Sequence, residues 1–155
     1  MSLELITSVL TPAVMINVCA LLLISTTNRN SRIRDRIRNM NNTLIHDKID
    51  LNKDVIENYI KQLKYFKKRG RLIKKAMTFN YMAFFSFVVT TLLLFFEKFL
   101  GLSIIFSVIT LLLGLGFLFA YAVILIKESR INFKTTNLDA ELTEKMLDET
   151  NKMGF

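Results

Sequence analysis

The sequence predicts an all-α membrane protein with three transmembrane helices. A basic helical hairpin joins the first two, and a short acidic helix ends the chain. Three observations carry that prediction. Three runs, residues 5–25, 76–96 and 99–126, contain no charged side chain. A spanning helix needs about 20 mostly apolar residues, because each adds about 1.5 Å across a ~30 Å hydrocarbon core. Hydrophobic residues make up 52% of the 155, high for a water-soluble domain. Third, the charges cluster between the runs. Residues 29–75 hold 15 Lys/Arg against 5 Asp/Glu, and residues 127–155 hold 5 against 6.

That distribution also predicts orientation. Positively charged loops stay cytoplasmic. Residues 29–75 are therefore expected inside, with the N-terminus outside, the Glu97-Lys98 hairpin outside and the tail inside. A secretory signal peptide needs positive charge before its apolar core. Here Glu4 precedes the first run and Arg29 follows it, the order of a reverse signal-anchor. Val18 sits where a lipoprotein signal wants a small residue before Cys19. One cysteine cannot form an intrachain disulfide.

The whole chain reads as one integral membrane domain. The first span, 5–25, carries Thr7, Ser8, Thr11, Pro12, Asn17 and Cys19. Polar residues in a span are expected to face protein, since hydrocarbon offers them no partner. Pro12 lacks an N–H and is expected to bend the helix or loosen its first turns. Nothing breaks the helix until Asn39–Thr43, so it is expected to continue to about Met40. Ile33, Ile37, Met40 and Leu44 then form one apolar stripe, and Arg29, Arg32 and Arg36 another. The polar stretch Asn41–Lys48, with the only histidine, His46, reads as a solvated turn.

Residues 51–76 read as a second amphipathic helix. Val55, Tyr59, Leu63, Phe66 and Ile73 share one face, and Lys53, Lys61, Lys64, Lys68, Arg71 and Lys75 the other. The hairpin 29–75 would hide Ile33 and Ile37 against Tyr59 and Leu63, with Gly70 allowing close approach. Spans 76–96 and 99–126 would meet through a turn at Glu97 and Lys98. The third run is longer than a bilayer requires and is expected to tilt or to begin in the interface near Gly101. Gly114 and Gly116 offer close-approach points. In the tail 127–155, Ile131, Leu138, Leu142 and Met146 share a face, while Asp139, Glu141, Glu144, Asp148 and Glu149 make it acidic. It would either dock on the basic hairpin or fray.

Chemistry-bearing motifs are missing. The sequence has no phosphate-binding glycine loop, no HExxH and no Cys/His cluster. No span contains a carboxylate, which argues against a proton relay. The expectation is no enzyme, no catalytic residue, no metal and no cofactor. Residues 28–38 instead pack five arginines into eleven positions beneath the membrane. Three readings compete. The charges hold the loop inside and meet anionic headgroups, at about 1 kcal/mol per basic residue. Alternatively Asp35 pairs with Arg32 or Arg38, and guanidinium forks cap helices or bridge subunits. The third reading is a pore. At 100° per residue, Thr7, Thr11, Val14, Val18, Leu21, Ser25, Arg29, Arg32 and Arg36 fall within about 40° of one line. In a ring of subunits that stripe would place an apolar gate above arginine rings. The competing account of the same stripe packs Val14, Val18 and Leu21 against the other two spans.

Two segments together carry a family likeness: Leu10-Thr11-Pro12-Ala13, and Asn28-Arg29-x-Ser31-Arg32-x-x-Asp35-Arg36-x-Arg38 beyond the apolar run. The pattern resembles the domain-of-unknown-function family twenty-seven twenty-one, a group of small bacterial membrane proteins. Chain length and layout are similar, and the likeness extends to about Ile126. Asn17 stands where the family pattern has a small residue such as serine, so no role is carried over to that position. The resemblance implies a bacterial integral membrane protein and supplies no activity, and the expected location is the inner membrane. Two functions follow as expectations. One is a homo-oligomer, with a pore lined by Thr7, Thr11, Val14, Val18, Leu21 and Ser25. The other is a non-conducting scaffold or regulator whose Arg29, Arg32, Asp35, Arg36 and Arg38 bind anionic lipid or an acidic partner. A nucleic-acid partner is not expected, because the basic surface lies against the membrane.

Overall fold

Between Ser25 and Gly70 the chain has neither proline nor glycine, so little stops a helix at the membrane edge. A computed structural model shows three very long helices: α1 (Ser2–His46), α2 (Lys53–Leu100) and α3 (Ile104–Lys152). It describes residues 2–46, 53–101 and 103–152, with side chains for 10–42, 45, 56–57, 60–97, 101 and 103–133. At 1.5 Å per residue each helix is about 70 Å long, more than twice the hydrocarbon thickness. Each contains a segment apolar enough to cross a membrane, within Leu10–Asn42, Ile60–Glu97 and Ile104–Phe133, with mean hydropathies of 1.8, 1.8 and 2.6. This is a multi-pass membrane protein in which every spanning helix runs on beyond the bilayer.

Several expected boundaries move. α1 passes through Asn39–Thr43 and ends at His46, so the interhelical turn does not begin at Asn41. Polar residues lower helix propensity by only tenths of a kcal/mol each and do not break a helix that packs along its length. The His46 side chain lies outside the described residues, as do those of Thr7, Ser8, Leu44, Lys53, Val55, Tyr59 and the tail beyond Phe133. Nor does the chain turn at Glu97-Lys98. α2 continues to Leu100, and the reversal is made at Gly101, with φ +64°. The Gly101 N–H donates to the Glu97 carbonyl at 2.9 Å, a left-handed helix cap that suits glycine. The tail forms no separate helix, because α3 runs unbroken from Ile104 to Lys152. Pro12 stays inside α1 and is fully buried.

α2 is the central helix, antiparallel to α1 on one side and α3 on the other. The buried positions repeat every seven residues. In α1 Pro12, Cys19, Thr26, Ile33 and Met40 fall on that repeat, with buried Asn30 beside it, and in α3 Ser107, Gly114, Tyr121 and Glu128 do. In α2 the buried positions alternate by three and four through Ile73, Ala76, Asn80, Ala83, Phe87 and Thr90. A seven-residue repeat is that of helices winding left-handed, which keeps one seam on its partner.

Beyond the bilayer the seam is a small hydrophobic core of Ile33, Met40, Phe66 and Ile73, with Ile37 and Met77 against it. Ile33 therefore packs on Phe66 and Ile73, about one to three turns nearer the membrane than Leu63. The cause is register: the long α1 overlaps α2 from its membrane end. Gly70 faces Ile33, as its apolar position implied. Of the two glycines in the third span, only Gly114 is a close-approach point. A Cβ there would stand 2.7 Å from the Phe87 ring, whereas one on Gly116 would meet open space.

Candidate functional site

The outward face of α1 is the first element of the site. Thr11, Val14, Val18, Leu21, Ser25, Arg29, Arg32 and Arg36 are all exposed. Leu21 is 67% exposed and Val14 48%. The alternative in which Val14, Val18 and Leu21 pack on the other two spans is therefore not what the fold does. The heptad seam explains why: α1 presents Cys19, Thr26 and Ile33 to its partners, and the stripe lies about a third of a turn away. Asn17 is exposed as well, beside the stripe. An amide and two hydroxyls, Thr11 and Ser25, thus lie uncovered at bilayer depth.

The second element links all three helices where they leave the membrane. Glu128 of α3 is buried, its side chain only 3% exposed. Its Oε1 accepts from Arg69 Nε at 2.9 Å and lies 2.9 Å from Arg69 Nη2. Its Oε2 lies 3.8 Å from Nη1 of Arg29 on α1. Arg69 also sits 5.6 Å over the Phe66 ring. A carboxylate held this far from water needs such partners, because an unpaired buried charge is very costly. One turn deeper, the Thr26 and Tyr121 hydroxyls meet at 2.8 Å, and Thr26 donates to the Leu22 carbonyl at 2.7 Å. Deeper still, Asn80 Nδ2 donates to the Cys19 carbonyl at 2.8 Å, while its Oδ1 has no partner. The α2–α3 contact is held by Ser86, which donates to the Thr110 carbonyl at 2.6 Å, and by Thr90 to Thr110 at 2.9 Å.

Among the arginine-rich residues, the fold brings Arg29 to Glu128 and leaves the others on the surface. Among the described residues Asp35 pairs with neither Arg32 nor Arg38. Residues 9–138 match the family model of a protein of unknown function (DUF2721). The chain belongs to this family. The DUF2721 match takes in the outward face of α1 from Leu10 on, Asn80, Arg69 and Glu128. No curated protein and no solved structure matches the chain.

Sequence reasoning missed Arg69, Asn80, Tyr121 and Glu128. A signal existed: Ser107, Gly114, Tyr121 and Glu128 recur every seven residues in a helix otherwise rich in Leu, Ile and Phe. In a membrane helix, small and polar residues at a fixed period mark the packed face.

Proposed function

We propose that this chain assembles with copies of itself through the outward face of α1, and that in a closed ring this face lines a pore. The observation that carries the reading is the exposure of Thr11, Asn17 and Ser25 at bilayer depth, with Val14, Val18 and Leu21 between them. Lipid tails give an amide or hydroxyl no partner, whereas the wet lumen of a ring and the α1 helices of neighbouring copies do. A ring is the closed solution for a head-to-tail contact. The aliphatic residues would gate by dewetting, and Arg29, Arg32 and Arg36 below them would favour anions. The setting is a bacterial inner membrane, with the N-terminus outside and the C-terminus cytoplasmic. The chain carries no catalysis in this reading.

Mass determination in lipid nanodiscs tests assembly. The expected result is a multiple of 18.0 kDa, reduced to the single chain by Asn17→Leu together with Thr11→Leu. Planar-bilayer recording tests conduction, with anion preference expected and reversed by Arg32→Glu. A single chain in nanodiscs with no current at any voltage would overturn both parts. A second reading keeps the assembly silent and gives Arg29 and Arg32 to anionic headgroups, favoured by their exposure one to two turns past the span. It predicts a higher Tm in anionic than in zwitterionic nanodiscs, with the difference disappearing in high salt.

A further inference from the structure

A groove of about 590 Å³ opens between α1 and α2 on the membrane-distant side of Gly70. Arg34, Asp35 and Arg38 line it from α1 and Lys67 from α2, with Ile37 and Leu63 as its apolar side chains. Ser31 and Asn41 add a hydroxyl and an amide. Its volume falls within the ~300–1,000 Å³ of small-molecule sites.

The charges here are arranged unlike those at Glu128. There a carboxylate draws two guanidinium groups. Here three cations converge with a single carboxylate, and among the described residues none of Arg34, Arg38 and Lys67 forms an ion pair. The three side chains are exposed, so water and salt screen their mutual repulsion in part. A bound anion would relieve the excess positive charge that the one carboxylate leaves. Two arginine forks and a lysine suit the several oxygens of a phosphate, which each fork can grip through two N–H groups. Ile37 and Leu63 suit the apolar or ring portion of the same ligand. Asp35 can accept from a sugar hydroxyl.

Depth selects the source of the phosphate. Arg34 is nine residues past Ser25, about 14 Å along the helix axis. The headgroup layer is only about 5–8 Å thick on each side. A groove at that height opens to water beyond the headgroups. It also lies on the flank of α1 opposite the Thr11–Ser25 stripe, half a turn away at 100° per residue, so assembly through the stripe leaves it open.

We propose that this groove binds a soluble organic phosphate of about mononucleotide size. The phosphate rests on Arg34, Arg38 and Lys67, and the rest of the molecule lies along Ile37 and Leu63. The proposal does not depend on the α1 assembly, and mass in nanodiscs reads that assembly separately.

The test is calorimetric titration of the full chain in zwitterionic nanodiscs with AMP and with inorganic phosphate. Saturable AMP binding is expected, tighter than that of phosphate alone. Arg34→Ala, Arg38→Ala and Lys67→Ala should each weaken it about tenfold or more, the loss for a charge-assisted hydrogen bond. Lys61→Ala, an exposed lysine paired with Glu57 outside the groove, should leave it unchanged. The proposal is overturned if neither probe saturates, or if Lys61→Ala weakens AMP binding as much as the groove variants do. It is also overturned if anionic lipid in the nanodisc displaces AMP, which would assign the groove to headgroups. Unchanged circular dichroism of the variants separates lost binding from lost fold.

Discussion

The two halves of the long helices bury different mixtures of residue along one continuous seam. Within the membrane the seam holds Phe87 among small and polar residues, Cys19, Asn80, Ala83, Ser86, Thr90, Ser107 and Gly114, while Leu21, Phe85 and Phe119 face outward. Beyond the membrane it holds Ile33, Met40, Phe66 and Ile73, while arginines and lysines face outward. The seven-residue period does not change at the boundary, only the chemistry does. In water, apolar burial drives the helices together. In hydrocarbon that force vanishes, and close packing of small residues with interhelical hydrogen bonds takes its place. The Arg29–Arg69–Glu128 network and the Thr26–Tyr121 pair lie where one regime gives way to the other.

The contrast can be broken most severely at that junction. Glu128→Ala leaves Arg69 without its partner and should destabilise the chain by about 3–5 kcal/mol, measured as reversible unfolding in detergent. Glu128→Ala with Arg69→Met should recover part of that loss, because no charge is then left buried unpaired. An unaltered single variant would remove the junction from the account.

Next comes a matched pair across the boundary. Ile73→Ala, in the watery half, should cost about 2–5 kcal/mol through lost burial and a cavity. Asn80→Leu, in the membrane half, should cost only about 0.6–1.7 kcal/mol, the range of interhelical hydrogen bonds in a bilayer. Equal losses would mean that one force holds both halves.

Glycine packing sharpens the membrane half further. Gly114→Ala pushes a Cβ into the fully buried Phe87 ring and should cost about 1–3 kcal/mol. Gly116→Ala, facing open space, should be neutral or slightly stabilising, since alanine is the better helix former. The same unfolding assay reads both.

The smallest effect is expected at the polar surface. Lys61 lies 2.8 Å from Glu57 and holds that carboxyl below its ordinary range. A lowered carboxyl pKa adds stability above the unfolded-state value and loses it as pH falls through the folded one. Acidification should therefore loosen the N-terminal turns of α2, seen as lower amide protection factors near Glu57. Glu57→Gln should abolish that pH dependence without moving Tm measurably, as for most exposed pairs.

The sequence by itself determined the solvent of this chain. Three uncharged runs of 21 residues or more have no other inexpensive place to go. It also marked the basic segment between the first two spans, and Thr11-Pro12-Ala13 with Ser31-Arg32 and Asp35-Arg36 pointed to the family. The outward stripe of α1 was legible because helical periodicity alone sets which residues share a face. Periodicity does not say which face a neighbour takes. Only the tertiary structure decided that Val14, Val18 and Leu21 remain uncovered, that Ile33 meets Phe66 and Ile73, and that Arg29 and Arg69 close on Glu128 from 59 residues away in α2 and 99 in α1. The turn moved to Gly101 for a similar reason. A charged pair ends an apolar run without ending a helix, and the reversal falls at a residue whose backbone takes a positive φ without strain.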